Sequence, residues 1–293
     1  MATEIGAAVD TSGPSAPGSA LPDIEDMNQT SAQTIDHGRV IYRGSRRSGI
    51  IVADDDTRRS LYLDGGILQS CMLLDDPSRL YLEYSQAMMC ALLFQPAPAN
   101  MLLVGLGGGS LVKFLLEFFP AARIDVAEIN PEVVRVARDY FLLPEEGRLR
   151  IMTAPGEEIV AERLAAGARY ELIIVDAFDD HGPARALLGE GFLRCCRTLL
   201  AGNGVFTMNL WNRPADDFPA HRAALAKLFG RQVLTLLLGN ANSNAIVFGF
   251  HEPPPAGSLM ELKPAAREMS RRTDVDFVRW LRQLYWQSIR GCS

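Results

Sequence analysis

The chain has 293 residues, of which 48% are hydrophobic, so it can bury a large core; its formal charge is -6. The first 36 residues hold six acids (Glu4, Asp10, Asp23, Glu25, Asp26, Asp36) and no Lys or Arg, which leaves 29 bases against 29 acids and excludes a nucleic-acid partner on net charge. Five cysteines without a C-x-x-C pair argue for free thiols in a reducing cytoplasm and against a metal site, and the absence of a signal peptide or a long apolar run argues against a membrane.

Residues 1–35 are rich in Ala, Ser, Gly, Pro and acids, a composition expected to form a disordered tail. Over residues 36–78 the runs VIYRG, SGIIVADDD and RRSLYLDGGILQSCML are β-like and broken by Asp and Gly. They predict a small antiparallel domain of hairpins. Residues 80–94 read as a helix, and QPAP after it is a stiff link into a third body over residues 79–293.

That body begins with a short apolar strand, residues 101–104, followed by Gly105, Gly107, Gly108 and Gly109. Ser110 opens a helix over residues 111–119, with Lys113 and Glu117 at i, i+4 and Pro120 beyond it. A second strand, residues 124–127, ends on Glu128. Strand, glycine turn, helix, strand and acid form the mononucleotide-binding unit. The glycines let backbone approach a ligand, and the Glu128 carboxylate can accept from both ribose hydroxyls.

Pro131 starts a helix over 132–142; strands follow at 149–152, 172–175 and 204–208, with helices at 156–165, 187–200 and 218–229. Two strands, 233–238 and 245–250, flank the turn GNANSN and predict an antiparallel pair at the sheet edge. A last helix over 273–287 carries Phe277, Trp280, Leu281 and Leu284 on one face, as core or dimer contact. The alternation predicts an α/β fold with a doubly wound, mostly parallel, Rossmann-like sheet. Glu128, Asp176 and Asn209 all fall at strand carboxyl ends and face one crevice.

The stretch VDAFDDHGPARALL starts at Val175 and places Asp176 and Asp179 close together, with Gly182-Pro183 turning the chain. Two carboxylates beside a nucleoside would attract a cationic amine. The alternative is that Asp179 or Asp180 caps the next helix, and His181 reads as a solvated loop residue.

From about residue 61 to 250 the sequence resembles the spermidine synthase family, the polyamine aminopropyltransferases. The resemblance rests on LDGGILQ, the glycine turn, AEIN (127–130) and VDAFDDHGPA. It implies a methyltransferase-like sheet behind a β-domain, a homodimer, and transfer of an aminopropyl group from a sulfonium nucleoside to a small amine. The donor would be decarboxylated S-adenosylmethionine or S-adenosylmethionine, with no metal. By the same resemblance Asp176 is catalytic, and Asp179, Tyr84 and Gln86 contact the substrate; Asn209, placed in the crevice by its strand end, is expected to join them. Gly105, Gly107, Gly108, Gly109, Glu128, Ile129 and Pro155 form the nucleoside site.

The sequence departs from the family at three places. Gly108 stands where the family has an aspartate that holds the donor's amino group, and Pro155 where it has an adenine-contacting aspartate. Residues 240–244 replace a tyrosine-rich loop. Gly108 is expected to relieve repulsion of a carboxylate-bearing donor, so a methyltransferase in the same pocket stays open, as does a non-catalytic nucleoside-binding protein. A nicotinamide dehydrogenase would have no use for the Asp176/Asp179 loop.

Overall fold

The computed structural model describes residues 38–45, 48–63, 66–179, 182–213, 217–230, 233–239, 243–252 and 259–289. The expected tail, Asp180, His181 and residues 240–242 of the edge turn lie outside them, and Asp179 is described by its backbone alone.

Four strands come first: β1 (Arg39–Arg43), β2 (Ile51–Asp54), β3 (Arg58–Leu63) and β4 (Ile67–Leu73), a four-stranded antiparallel sheet in sequence order. Asp55 makes the β2–β3 turn: its Oδ1 accepts from the Thr57 and Arg58 N–H groups, both at 2.8 Å. Val52, Leu61 and Met72 on this sheet join the same core as Val112, Phe114 and Phe141 of the larger layer. Helix α1 (Glu83–Met88) then tightens into a 3₁₀ turn over Met89–Leu93, where the sequence suggested one continuous helix. The Phe94 and Gln95 N–H groups both bond the Ala91 carbonyl, and Pro96 cannot extend the ladder.

The second sheet is built on β5 (Asn100–Val104), α2 (Ser110–Phe118), β6 (Arg123–Glu128), α3 (Pro131–Phe141), β7 (Leu149–Thr153), α4 (Gly156–Ala165) and β8 (Tyr170–Val175). A two-residue ladder, β9 (Phe178–Asp179) against β10 (Gly182–Pro183), and a 3₁₀ turn at Arg185–Leu188 lead to α5 (Glu190–Leu199). Then come β11 (Leu200–Asn212), α6 (Phe218–Phe229), β12 (Leu234–Leu237), β13 (Ser243–Phe250), α7 (Lys263–Thr273) and α8 (Phe277–Ile289). The strand order is β12-β13-β11-β8-β5-β6-β7. Only the β13 pairings are antiparallel, so the edge pair expected from the sequence is present.

Strand periodicity divides the core. Met101 and Leu103 face one side of the sheet with Leu172 and Ile174, while Leu102 and Val104 face the other with Ile173 and Val175. The chain steps from β5 to β6 to β7, then jumps back past β5 to place β8 on its other side. That reversal opens a crevice beyond the carboxyl ends of β5 and β8, where ligands bind in such sheets.

Three elements differ from expectation. Gly189, in extended conformation, separates α5 from the preceding 3₁₀ turn, so residues 187–200 are not one helix. Strand β11 runs to Asn212 because β13 pairs with it as far as Asn212↔Ser243. Thr273 ends α7 rather than starting the last helix, since Asp274 takes a left-handed conformation (φ 57°) and turns the chain. The apolar face of α8 is core: Phe277, Trp280, Leu281 and Leu284 are buried. Among the described residues no helix is long and apolar enough to cross a membrane.

Lys113 of α2 is buried, and its ammonium donates to the Phe141 carbonyl at 2.7 Å beside the Met72 sulfur. Burial pushes its pKa down from 10.5 to about 8, a cost of roughly 3 kcal/mol to the charged form. Leaving the Phe141 carbonyl without a donor would cost about 1–3 kcal/mol. The two nearly cancel in Lys113→Met, whose stability near pH 7 should lie close to the parent's. The pH dependence will separate them. Between pH 8 and 10.5 the unfolded chain holds a proton that the folded lysine has lost, so this group makes the parent gain stability as pH rises. Urea unfolding at pH 7.5 and 10 checks this: the parent's gain between the two should exceed that of Lys113→Met.

Candidate active site

The crevice is a cavity of ≈ 780 Å³ lined by residues from both sheets. At its centre, Gly105 leaves β5 with φ 97°, and its N–H bonds the Ala127 carbonyl of β6 at 2.8 Å. A Cβ on Gly105 would lie 2.1 Å from the Asp176 carbonyl oxygen. Only glycine lets the ends of β5 and β8 meet this closely, so the turn and Asp176 are held together by backbone.

Glu128 ends β6 and is buried. Its Oε2 accepts the Leu106 N–H at 3.0 Å and its Oε1 the Asn130 N–H at 2.8 Å. These bonds tie the glycine turn to the start of α3, which Asn130 caps by accepting from the Glu132 N–H. The carboxylate lines the cavity and has acceptor capacity beyond these bonds. Burial raises the Glu128 pKa, and the backbone donors at Asn130, Leu106 and Ile129 oppose the rise. Ile129 is 67% exposed and lines the same cavity, an apolar surface fit for the face of a base.

Asp176 follows β8, partly buried on the cavity wall. The Asn209 amide donates to its Oδ1 at 3.0 Å, and the Asn244 amide donates to the Asn209 oxygen at 2.9 Å. Tyr84 donates to the Gln69 carbonyl at 3.0 Å, and its hydroxyl is within reach of Asp176. Burial, and then the Asp176 charge, push the Tyr84 phenol well above its usual range. Burial also lifts Asp176 from 3.8 to about 6, against the lowering effect of Asn209 and Tyr84.

The structure therefore brings Gly105, Gly107, Glu128, Ile129, Tyr84, Asp176 and Asn209 to one cavity. Asn209 gets there from inside β11, not from its end. Four expected contacts stay off the wall. The Gln86 side chain turns away to donate to the Leu80 carbonyl at 2.8 Å. Gly109 caps α2 with φ 71°, and Pro155 caps α4, leaving Gly156 and Glu157 to face the cavity. Gly108 is buried without a positive φ, and a Cβ there would meet Ser70 Oγ at 2.8 Å and Phe141 Cδ1 at 2.9 Å. An aspartate at 108 would thus have to displace Ser70 and the Phe141 ring, so a Gly108→Asp substitution would disturb packing before it tested donor choice.

Gln69, Ser70, Trp211, Arg213 and Asn244 also line the cavity and were not singled out as site residues. Gln69 lay in LDGGILQ and Asn244 in GNANSN, both already marked. Trp211 and Arg213 were hidden by ending the strand at 208.

A family model described as the spermine/spermidine synthase domain matches residues 82–214. A polyamine aminopropyltransferase from Neisseria meningitidis serogroup A / serotype 4A is 34% identical over 232 residues, spanning 78% of this chain and 86% of the relative. Human methyltransferase-like protein 13, solved in complex with SAH, is 27% identical with a TM-score of 0.55, over 69% of this chain and 93% of that one. A spermidine synthase solved in complex with the transition state analogue AdoDATO shares the fold, with a TM-score of 0.63 at 19% identity over 87% of this chain and 89% of that one. With a glycine turn, a buried acid at the end of β6 and a strand-end aspartate in one cavity, and a relative this similar over most of its length, the chain belongs to the spermine/spermidine synthase family, the polyamine aminopropyltransferases, and is by that membership a transferase.

Proposed function

We propose that the cavity binds a sulfonium nucleoside, decarboxylated S-adenosylmethionine, and transfers its aminopropyl group to a small amine. The observation that carries this reading is the pairing of Glu128 and Asp176 on either side of one glycine turn, both in one cavity. Glu128 accepts the ribose hydroxyls with its free lone pairs, and Ile129 packs on the base. The acceptor amine docks at Asp176, with Asn209 fixing the carboxylate plane.

In the reaction the amine nitrogen attacks the carbon next to sulfur. The C–N bond forms, the C–S bond breaks, and its electron pair returns to sulfur as a neutral thioether. The nitrogen must shed a proton. A free amine titrates near pH ~10, so it arrives protonated. Asp176, at about 6 rather than 3.8, is ionised at neutral pH yet a stronger base than an ordinary aspartate; it binds the ammonium and accepts its proton directly or through water. Positive charge disperses on the way to the transition state, so a carboxylate stabilises the ground state at least as much. Alignment of nitrogen, carbon and sulfur is then the larger contribution, for which effective molarity supplies about 7–11 kcal/mol.

Methyl transfer from S-adenosylmethionine is the second reading. It is favoured by one observation: the position of the family's amine-holding aspartate is Gly108, and its side-chain space is filled by Ser70 and Phe141. Calorimetric titration with methylthioadenosine, decarboxylated S-adenosylmethionine and S-adenosylmethionine tests both. Binding of methylthioadenosine with a preference for the decarboxylated donor supports aminopropyl transfer. A preference for intact S-adenosylmethionine moves the assignment to methyl transfer, and no binding of any of the three defeats the nucleoside site.

A further inference from the structure

Two guanidiniums line the cavity, Arg185 and Arg213. A pocket built only to hold a polyamine gains nothing from them, since like charges raise the free energy of a bound polycation. Arg213 is the better placed. It follows the last residue of β11, is half-buried, and stacks on Trp211 with Cζ 3.3 Å from the ring centroid. Trp211 in turn packs against Phe178 at 5.2 Å between centroids, on the loop that follows Asp176. Stacking fixes the guanidinium plane and leaves its N–H edge to donate in plane, the geometry that recognises a carboxylate with two parallel bonds.

Among the described residues no side chain of the wall mates that edge. Of the acids that line the cavity, Glu128, Glu157 and Asp176, none pairs with Arg213. Glu128 holds Leu106 and Asn130, and Asp176 holds Asn209. Arg213 makes no ion pair there. The site thus offers the Asp176 carboxylate for an ammonium and, stacked on Trp211, a guanidinium that is unpaired among the described residues, joined by an aromatic wall of Phe178 and Trp211. That charge pattern matches a zwitterion.

Resting on the proposed nucleoside site, we infer that Arg213 binds a carboxylate, and that the molecule it selects carries an amine and a carboxylate together. Two sources share this chemistry. One is an acceptor that is an amino acid; the other is the amino-acid tail of intact S-adenosylmethionine.

The test uses the full chain and its Arg213→Gln and Arg213→Lys variants in calorimetric titrations. Methylthioadenosine, which has no carboxylate, should bind all three alike and serves as the folding control. Arg213→Gln should lose at least tenfold in affinity for one carboxylate ligand and keep its affinity for the carboxylate-free counterpart. Arg213→Lys should recover part of the loss, since it restores charge without the fork. If the loss falls on S-adenosylmethionine and not on its decarboxylated form, the carboxylate is the donor's. If it falls on 4-aminobutanoate and not on 1,4-diaminobutane, each titrated into the methylthioadenosine complex, the carboxylate is the acceptor's. Intact methylthioadenosine binding with no selective loss in either pair overturns the inference. A parent that fails to bind methylthioadenosine overturns the nucleoside reading itself, and the inference with it.

Discussion

Asp176→Asn should lower turnover about 10²–10⁴-fold, the range for removing a positioned general base, and leave the nucleoside affinity within a few-fold of the parent. The asparagine keeps an oxygen for the Asn209 amide, so the bond at 3.0 Å can persist while the charge and the basic lone pairs are gone. The parent carries a second signature. With Asp176 at about 6, its activity should fall as pH drops through 6, and the variant's residual activity should lack that limb. Stability should move the other way. A carboxyl raised from 3.8 to about 6 on folding adds stability below pH 3.8 that is lost as pH rises through 6, on the order of 1–3 kcal/mol. At pH 7.5 the variant should therefore melt at or above the parent's temperature. A variant that keeps the parent's turnover, or one that keeps the acid limb, would show that Asp176 does not take the proton.

Glu128→Ala should weaken methylthioadenosine binding by about 1.5–3 kcal/mol, the range for bonds to a charged acceptor, or roughly 10- to 150-fold. The same carboxylate holds the Leu106 and Asn130 N–H groups, so part of the loss will come from a loosened glycine turn. Glu128→Gln holds the side-chain volume while removing the charge. It keeps an acceptor oxygen for one of the two backbone N–H groups and sets a donor against the other, so its stability is read beside its affinity. If the ribose contact dominates, both variants should lose more in nucleoside affinity than in stability; a glutamine variant with full affinity would assign Glu128 to the turn alone. Circular dichroism with calorimetry makes the comparison.

The half of the site around the glycine turn was legible because its parts are local. Gly105 and Glu128 are separated by one βαβ unit, and that spacing alone puts them at adjacent strand ends. The half around Asp176 was only partly legible because it converges from distant segments. Asp176 was found through its motif, but its partners come from α1, β11 and β13, and no spacing rule links those elements. Gln86 was carried over by resemblance, and its direction is decided by a neighbouring carbonyl at Leu80. Gly108 shows the same limit in another form: the resemblance matches it to a family aspartate, yet the space beside it belongs to Ser70 and Phe141. Arg213 and Trp211 escaped notice because the length of β11 is set by pairing with β13 and not by its own hydrophobic run.

Aminopropyl transfer has a product that does not depend on the acceptor. Incubating the full chain with decarboxylated S-adenosylmethionine and a mixture of small amines and amino acids, then quantifying nucleosides by mass spectrometry, tests it directly. The account predicts acceptor-dependent release of methylthioadenosine that Asp176→Asn slows about 10²–10⁴-fold. Release of S-adenosylhomocysteine from S-adenosylmethionine under the same conditions, with no methylthioadenosine from the decarboxylated donor, would contradict it.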